Sequence, residues 1–449
     1  MAPSVVGVRA AWFHYPAVRV QNRNRMTIVP VKAPVILLIS HVIPYPPAAG
    51  NEIRILKMVK WLISRGFRVV MLLNHEPLST EQRLDLENVV GTVHFVDDDY
   101  GAEFPRVAKK RHPYLPLKKV LARLPADTFL YRWLFCAGKR KKLDSDNVKA
   151  YFASDRLIRL TSHLCERYRP FAVVAEYIFA APCLDVVPHG VLKIIDTHDM
   201  FSRKKAEVVA YGVEDPLVCT LREERDYLLK SDLVIAIQSN EARMFRSLVR
   251  VRDVITVGID LDVLDEIDNS RLIPGTILVV GSDNPLNQHG LKAFYDRAWP
   301  IIRAGHPDAV LRVVGKVADH LQTDDERVQR VGWVADLDEE YRKAAIVINS
   351  TQAGTGLKIK SVEALCRGKA LVGTPNSVDG IDSDGEVPYL ICDDWQTFAD
   401  RVLMLLRSED QRMRLERLAL QFARENFSAD QIYAPLGQRL QSAFSSAPD

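Results

Sequence analysis

The 449-residue chain predicts an α/β protein built from two doubly wound parallel-sheet domains. Three observations carry that expectation. Short apolar runs alternate with amphipathic stretches from Pro34 onward, the pattern of βα units. The rhythm pauses at an acidic, Pro- and Gly-marked stretch, 259–275, and then starts again. The length allows two or three domains at roughly 100–200 residues each. With 47% hydrophobic and 26% charged residues, the chain is neither largely disordered nor fibrous.

Residues 1–33 hold Arg9, Arg19, Arg23, Arg25 and Lys32 and no acid, and read as a flexible leader with Met26 close to the functional start. An organellar transit peptide would share that composition. The first domain spans 34–258. VILLIS (Val35–Ser40) reads as a buried strand, and Ile55, Leu56, Val59, Leu62 and Ile63 place one apolar face on the helix that follows. Gly66 ends that helix before the strand FRVVMLL (Phe67–Leu73). Later strands are FAVVAE (Phe171–Glu176), VLKIID (Val191–Asp196), LVIAIQ (Leu233–Gln238) and VITVG (Val254–Gly258). A basic, aromatic insert at about 101–150 interrupts the series.

After the linker 259–275, a second domain spans 276–425. Its strands are TILVVGS (Thr276–Ser282), AVLRVVG (Ala309–Gly315), VQRVGWV (Val328–Val334), AAIVINS (Ala344–Ser350), KALVGTP (Lys369–Pro375) and YLICD (Tyr389–Asp393). A helix covers Ile359–Arg367, and the end of the chain, from Thr397 to Phe444, is helical, with 426–449 as final helix and tail. In such sheets ligands sit beyond the carboxyl ends of the strands, here in the cleft that the two domains face.

The net charge of +3, from 60 Lys and Arg against 57 Asp and Glu, hides a division. Residues 1–51 carry +5, residues 106–142 carry +11 with Asp127 as the one acid, and the remainder carries −13. The six cysteines are scattered without C-x-x-C or zinc spacing, which points to a reducing compartment and no metal site. No apolar run reaches a membrane span, and no secretory signal is recognisable. The triplet Asp97–Asp99 reads as a solvated acidic loop.

Four segments carry chemistry. In AGTGLKIKSVEALCRGKALVGT (Ala353–Thr374) a glycine turn opens a helix, so Gly354, Thr355 and Gly356 can offer backbone N–H groups to an anion. Lys358 and Lys360 in the first helical turn oppose the helix dipole unless an anion is near. Glu363, one turn after Lys360, can accept from two ribose hydroxyls. Together these groups describe a nucleoside diphosphate; a surface turn with a Lys–Glu pair is the plainer reading. The loop PYPPAAGNEIR (Pro44–Arg54) brings Gly50 to the start of the first helix and lacks the dinucleotide G-x-G-x-x-G. DTHD (Asp196–Asp199) follows a strand directly, so His198 and Asp199 suit proton transfer or sugar-hydroxyl contact, although an isolated His–Asp pair is commonly structural. Residues 106–142 mix twelve cations with Tyr114, Phe129, Tyr131, Trp133 and Phe135, a surface suited to anionic lipid rather than to nucleic acid.

On these segments the sequence resembles GT-B glycosyltransferases, in particular the retaining family four that uses nucleotide sugars. VGS (Val280–Ser282), VGWV (Val331–Val334) and GTGLKIKSVEAL (Gly354–Leu365) carry the specific part. The resemblance implies two Rossmann-like domains, a donor held by the C-terminal one, an acceptor held by the N-terminal one, metal-independent chemistry and a final helix returning to the first domain. It places Glu363 on the donor ribose, Gly50 near the diphosphate, His198 near the donor sugar, and Trp333 and Val334 beside the base. The family's usual glutamate eight positions before Glu363 is Thr355 here, and its Gly-Arg and later Lys are replaced by Gly281 and Ser282, then Asn287 and His289. A variant with G-x-x-L-K before the glutamate is nearer, with Lys358 and Lys360 supplying the positive charge.

The expected function is transfer of a hexose-like sugar from a UDP- or GDP-type donor to a hydroxyl of a saccharide or lipid-linked saccharide, in cell-surface polysaccharide or glycolipid synthesis. No separate cofactor and no nucleic acid are expected. The protein is placed in the cytoplasm, peripheral on the cytoplasmic face of a membrane through 106–142. A sugar-nucleotide 2-epimerase of the same fold and a non-catalytic nucleotide-binding scaffold are the alternatives.

Overall fold

In a computed structural model, which describes residues 17–22, 25–30, 33–47, 49–75, 78–103, 152–211, 217–383 and 385–445, the apolar runs are strands and the amphipathic stretches are helices. A hairpin comes first, within the segment expected as a flexible leader: β1 (Ala17–Asn22) pairs antiparallel with β2 (Arg25–Pro30). Then follow β3 (Val35–Ser40), α1 (Gly50–Ser64), β4 (Arg68–Leu73), α2 (Thr80–Val90), β5 (Thr92–Phe95) and α3 (Val96–Glu103). The basic segment 106–142 lies outside the described residues. The chain continues with α4 (Asp155–Tyr168), β6 (Ala172–Glu176), β7 (Leu192–Asp196), α5 (Phe201–Ala210), α6 (Leu221–Leu228), β8 (Leu233–Ala236), α7 (Ser239–Leu248) and β9 (Asp253–Thr256).

The second series is β10 (Thr276–Val280), α8 (Pro285–Arg297), α9 (Trp299–Gly305), β11 (Val310–Val314), β12 (Val328–Gly332), α10 (Leu337–Lys343), β13 (Ile346–Asn349), α11 (Ile359–Cys366), β14 (Leu371–Gly373), β15 (Leu390–Ile391) and α12 (Trp395–Arg407). Two long helices close the chain, α13 (Glu409–Asn426) and α14 (Ala429–Ser445). By internal packing the chain forms two units, residues 1–47 with 58–195, and residues 48–57 with 196–449.

Both main sheets have the doubly wound order. One runs β5-β4-β3-β6-β7-β8-β9 and the other β12-β11-β10-β13-β14-β15. Strands of the first are buried almost throughout, Ile36–Ile39 and Val69–Leu73 being at most 2% exposed, as a parallel sheet covered on both faces requires. In the second, alternation divides the core. Ile277, Val279, Leu311, Val313, Ile346 and Ile348 join α8, α9 and α12 in one apolar cluster. Leu278, Val314, Val347 and Leu371 point the other way, toward α10, α11 and α13.

One local detail differs from expectation. Asp97–Asp99 do not sit in a loop: they open α3, where three carboxylates complement the positive helix end, and Asp99 accepts from the Phe95 N–H at 2.6 Å. The C-terminal helical region is three helices, separated where Ser408 caps α13 and where Phe427 follows it. The last of them, α14, docks on the end of the β9 segment: Tyr433 donates to Asp260 at 2.7 Å, Arg439 pairs with Asp253 at 3.1 Å, and Ile432 covers Gly258. Among the described residues no helix is long and apolar enough to cross a membrane.

Candidate functional site

The order of the second sheet reverses between β10 and β13, which pair directly. Residues at their carboxyl ends therefore emerge side by side, the position where open α/β sheets bind ligands. From β10 come Gly281 and Ser282; from β13 comes the turn that leads into α11.

That turn depends on glycine. Gly354 has φ +116° and Gly356 φ +75°, and a Cβ on Gly356 would lie 2.5 Å from a carboxylate oxygen of Asp199. Lys358 closes the turn from within, its ammonium donating to the carbonyls of Gly354 at 2.8 Å and of Thr355 and Gly356 at 3.2 Å each. Burial lowers the Lys358 pKa, against the pull of Asp199, Asp379, Glu241 and Glu207. The hydroxyl oxygen of Thr355 is buried without a hydrogen-bond partner.

The outward N–H groups of the turn meet carboxyl oxygens. Gly354 donates to Glu207 and Gly356 to Glu241, both at 2.8 Å. Burial first, then the neighbouring Asp199 carboxylate, raises the Glu241 pKa to about 8. Glu207 also holds Arg203 at 2.6 Å. Neither Glu207 nor Glu241 stands out in the sequence. They lie 147 and 115 residues from the glycines they meet, on helices whose acids read as ordinary surface charge.

Inside α11, Glu363 is 7% exposed and one of its oxygens accepts from Lys360 at 2.8 Å and from Tyr341 at 3.2 Å. Burial, then the Glu363 charge, pushes the Tyr341 phenol well above its ordinary value, so it stays a donor. Lys360 thus faces Glu363, while Lys358 faces the turn.

The DTHD segment packs against the same turn. His198 is buried, sits at φ +60°, and has its Nε2 4.0 Å from Asp196. Burial lowers its pKa to about 4, with Asp196 opposing, so the imidazole is neutral at pH 7. Asp196 is paired with Arg54 at 2.7 Å, and Arg54, fully buried, also donates to the carbonyls of Val257 and Gly258. This pair joins residues 142 apart, and no motif announced it.

Other residues singled out from sequence are placed as follows. Gly50 starts α1 directly against Ile359, the first residue of α11, whose Cδ1 would have to swing aside for a Cβ there. Gly281 lies against Val317, with room for no Cβ, and Ser282 accepts from Asn287 at 3.2 Å. Trp333 is 74% exposed just after β12, and Val334 packs on the apolar cluster beneath α11. Asp199, Gly354, Thr355, Gly356, Lys358 and Gly50 thus gather around the start of α11, with Lys360 and Glu363 on its first turns.

Two doubly wound sheets in one chain, with a glycine turn and a helix at the switch point of the second, define the GT-B architecture. Residues 274–408 match the family model of the group 1 glycosyl transferases. By fold the chain is a GT-B protein, and its second series of βα units is similar to the group 1 glycosyl transferases over residues 274–408. Among solved structures, TarM of S. aureus shares 10% identity over 92% of this chain and 99% of that one, with a TM-score of 0.64. Anabaena HepE, solved with UDP, shares 12% over 91% and 99% at a TM-score of 0.59. The pneumococcal O-GlcNAc transferase GtfA, solved with UDP and GlcNAc, shares 11% over 92% and 99% at 0.61. No curated protein sequence matches.

Proposed function

We propose that the protein transfers a hexose-like sugar, with retention, from a UDP- or GDP-type nucleotide sugar to a hydroxyl of a saccharide or lipid-linked saccharide. The observation that carries the reading is the glycine turn at the start of α11, followed on that helix by Glu363. Two of its N–H groups donate to the carboxyl oxygens of Glu207 and Glu241, which supports the turn as a place where phosphate oxygens bind once those carboxyl groups give way. The complexes of HepE and GtfA with UDP support the donor class.

In this reading Glu363 takes the ribose hydroxyls, and Trp333 and Val334 border the base. The diphosphate displaces Glu207 and Glu241 from the amides of Gly354 and Gly356 and draws Lys358 off the turn carbonyls and Lys360 off Glu363. These groups and the Thr355 amide then stabilise it, Gly50 lets it approach the α1 start, and Gly281 and Ser282 complete the floor. The bond from the anomeric carbon to the diphosphate breaks, a bond from that carbon to the acceptor oxygen forms, and the hydroxyl proton leaves with the diphosphate or to solvent. Charge builds on the diphosphate during this step, which is where fixed N–H groups and ammonium groups lower the barrier. The proposed chemistry is metal-independent, with Lys358 and Lys360, once released from these partners, and the start of α11 facing the leaving diphosphate. Neutral His198 and Asp199 orient sugar and acceptor hydroxyls. The basic aromatic segment 106–142 brings the enzyme to the cytoplasmic face of an anionic membrane, where the acceptor for cell-surface polysaccharide or glycolipid synthesis lies.

Incubation with a panel of UDP- and GDP-sugars, with and without membrane extract, tests the reading. Extract-dependent release of nucleotide with a glycosylated product is expected. Donor isomerisation without acceptor would mean a 2-epimerase, and binding without turnover a scaffold. Sedimentation with anionic and neutral vesicles tests the lipid contact; equal, negligible binding to both removes it.

A further inference from the structure

Beyond the diphosphate-facing turn, the second unit contains a cavity of about 400 Å3, within the roughly 300–1,000 Å3 range of small-molecule sites. It opens at the carboxyl ends of β14 and β15, lined there by Asn376, Asp393 and Trp395, and is completed by Gln352, Arg203 and Tyr211. Asn376 donates to the Gly354 carbonyl at 3.0 Å, so the cavity shares a wall with the glycine turn.

The charge of the lining selects against anions. Asp379, Asp393 and Asp394 stand against Arg203 alone, and Arg203 is already engaged by Glu207 at 2.6 Å and lies 3.9 Å from Asp379. Asp394 is occupied in capping α12, accepting from the Thr397 N–H at 2.8 Å. A phosphate or carboxylate placed here meets like charge, whereas an uncharged polyol does not. What remains is the chemistry of sugar-ring recognition: an indole and a phenol ring for the C–H face of a pyranose, and a carboxylate with two amides for its hydroxyl pairs.

We infer that this cavity binds a neutral saccharide ring, separately from the nucleotide. The assignment rests on the glycosyl-transfer reading for its meaning, and its test is independent of it. Saturation-transfer NMR on the full-length protein would use methyl glycosides of glucose, galactose and N-acetylglucosamine, with glucose 6-phosphate as the anionic probe. UDP and GDP titrations run alongside by calorimetry. At least one neutral glycoside should bind, glucose 6-phosphate should bind less well, and Asp393→Ala and Gln352→Ala should each weaken the glycoside by at least about tenfold. Both variants should keep their nucleotide affinity within about twofold, which also shows that they fold. No glycoside signal, equal binding of glucose 6-phosphate, or unchanged binding in both variants overturns the assignment. Failure of the parent protein to bind UDP or GDP instead overturns the donor reading, and the glycoside result then stands by itself.

Discussion

The backbone N–H of Gly356 donates to the carboxyl group of Glu241 at 2.8 Å, closing the glycine turn against the first helical turn of α7. The contact is chemically informative because the acceptor is itself perturbed. Burial, with Asp199 beside it, raises the Glu241 pKa from 4.5 to about 8, so near neutrality the group is largely a neutral carboxyl whose carbonyl oxygen accepts.

That shift predicts a pH-dependent effect of Glu241→Gln. The folded protein holds this proton more tightly than the unfolded chain, so ionising the side chain costs stability as pH rises from about 4.5 to about 8. The variant should melt at least about 2–4 °C above the parent at pH 8.5 and close to it at pH 5. Differential scanning calorimetry at the two pH values decides; a difference of the same size at both would mean that Glu241 does not carry the proton.

His198 predicts the opposite slope. Its pKa falls from 6.5 to about 4, chiefly through burial, so the unfolded chain binds the extra proton between those values and stability drops as pH falls through that window. His198→Asn should flatten the dependence. NMR of the imidazole should show no titration between pH 5.5 and 8, and a midpoint near 6.5 would contradict the buried, neutral ring.

The Arg54–Asp196 pair is fully withdrawn from water. Asp196→Asn leaves a buried guanidinium without its counter-charge and should cost about 3–5 kcal/mol in urea unfolding. Replacing both partners, Arg54→Met with Asp196→Leu, should recover a large part of that loss. A double variant no more stable than Asp196→Asn would show that the pair is not the reason.

Glu363→Ala should weaken UDP or GDP binding by about 10–100-fold, the loss of two hydrogen bonds to a charged acceptor. The same change releases Lys360 and Tyr341, so a stability control is needed, and Glu363→Gln supplies it by keeping an acceptor for Tyr341. Calorimetric affinity unchanged from the parent would remove Glu363 from the nucleotide site.

Much of this was visible in the linear chain for definite reasons. Strands such as Val35–Ser40 and Thr276–Val280 are buried on both faces and therefore appear as unbroken apolar runs. Gly354 and Gly356 advertise a turn because their positive φ excludes other residues, and the helix after them shows its face as Val362, Leu365 and Cys366. Asp97–Asp99 misled because helix initiation and solvation favour the same carboxylates.

What the sequence determined by itself was the succession of βα units, the glycine turn and the donors and acceptors available to it, since these depend on local periodicity and backbone preference. Tertiary structure alone decided which charges meet there. Lys358 folds back onto its own turn, Glu207 and Glu241 come from distant helices to take the glycine amides, and Arg54 finds Asp196 across 142 residues. Electrostatic partners are chosen by proximity in space and by the energy of burying charge, and neither leaves a period or a spacing in the chain.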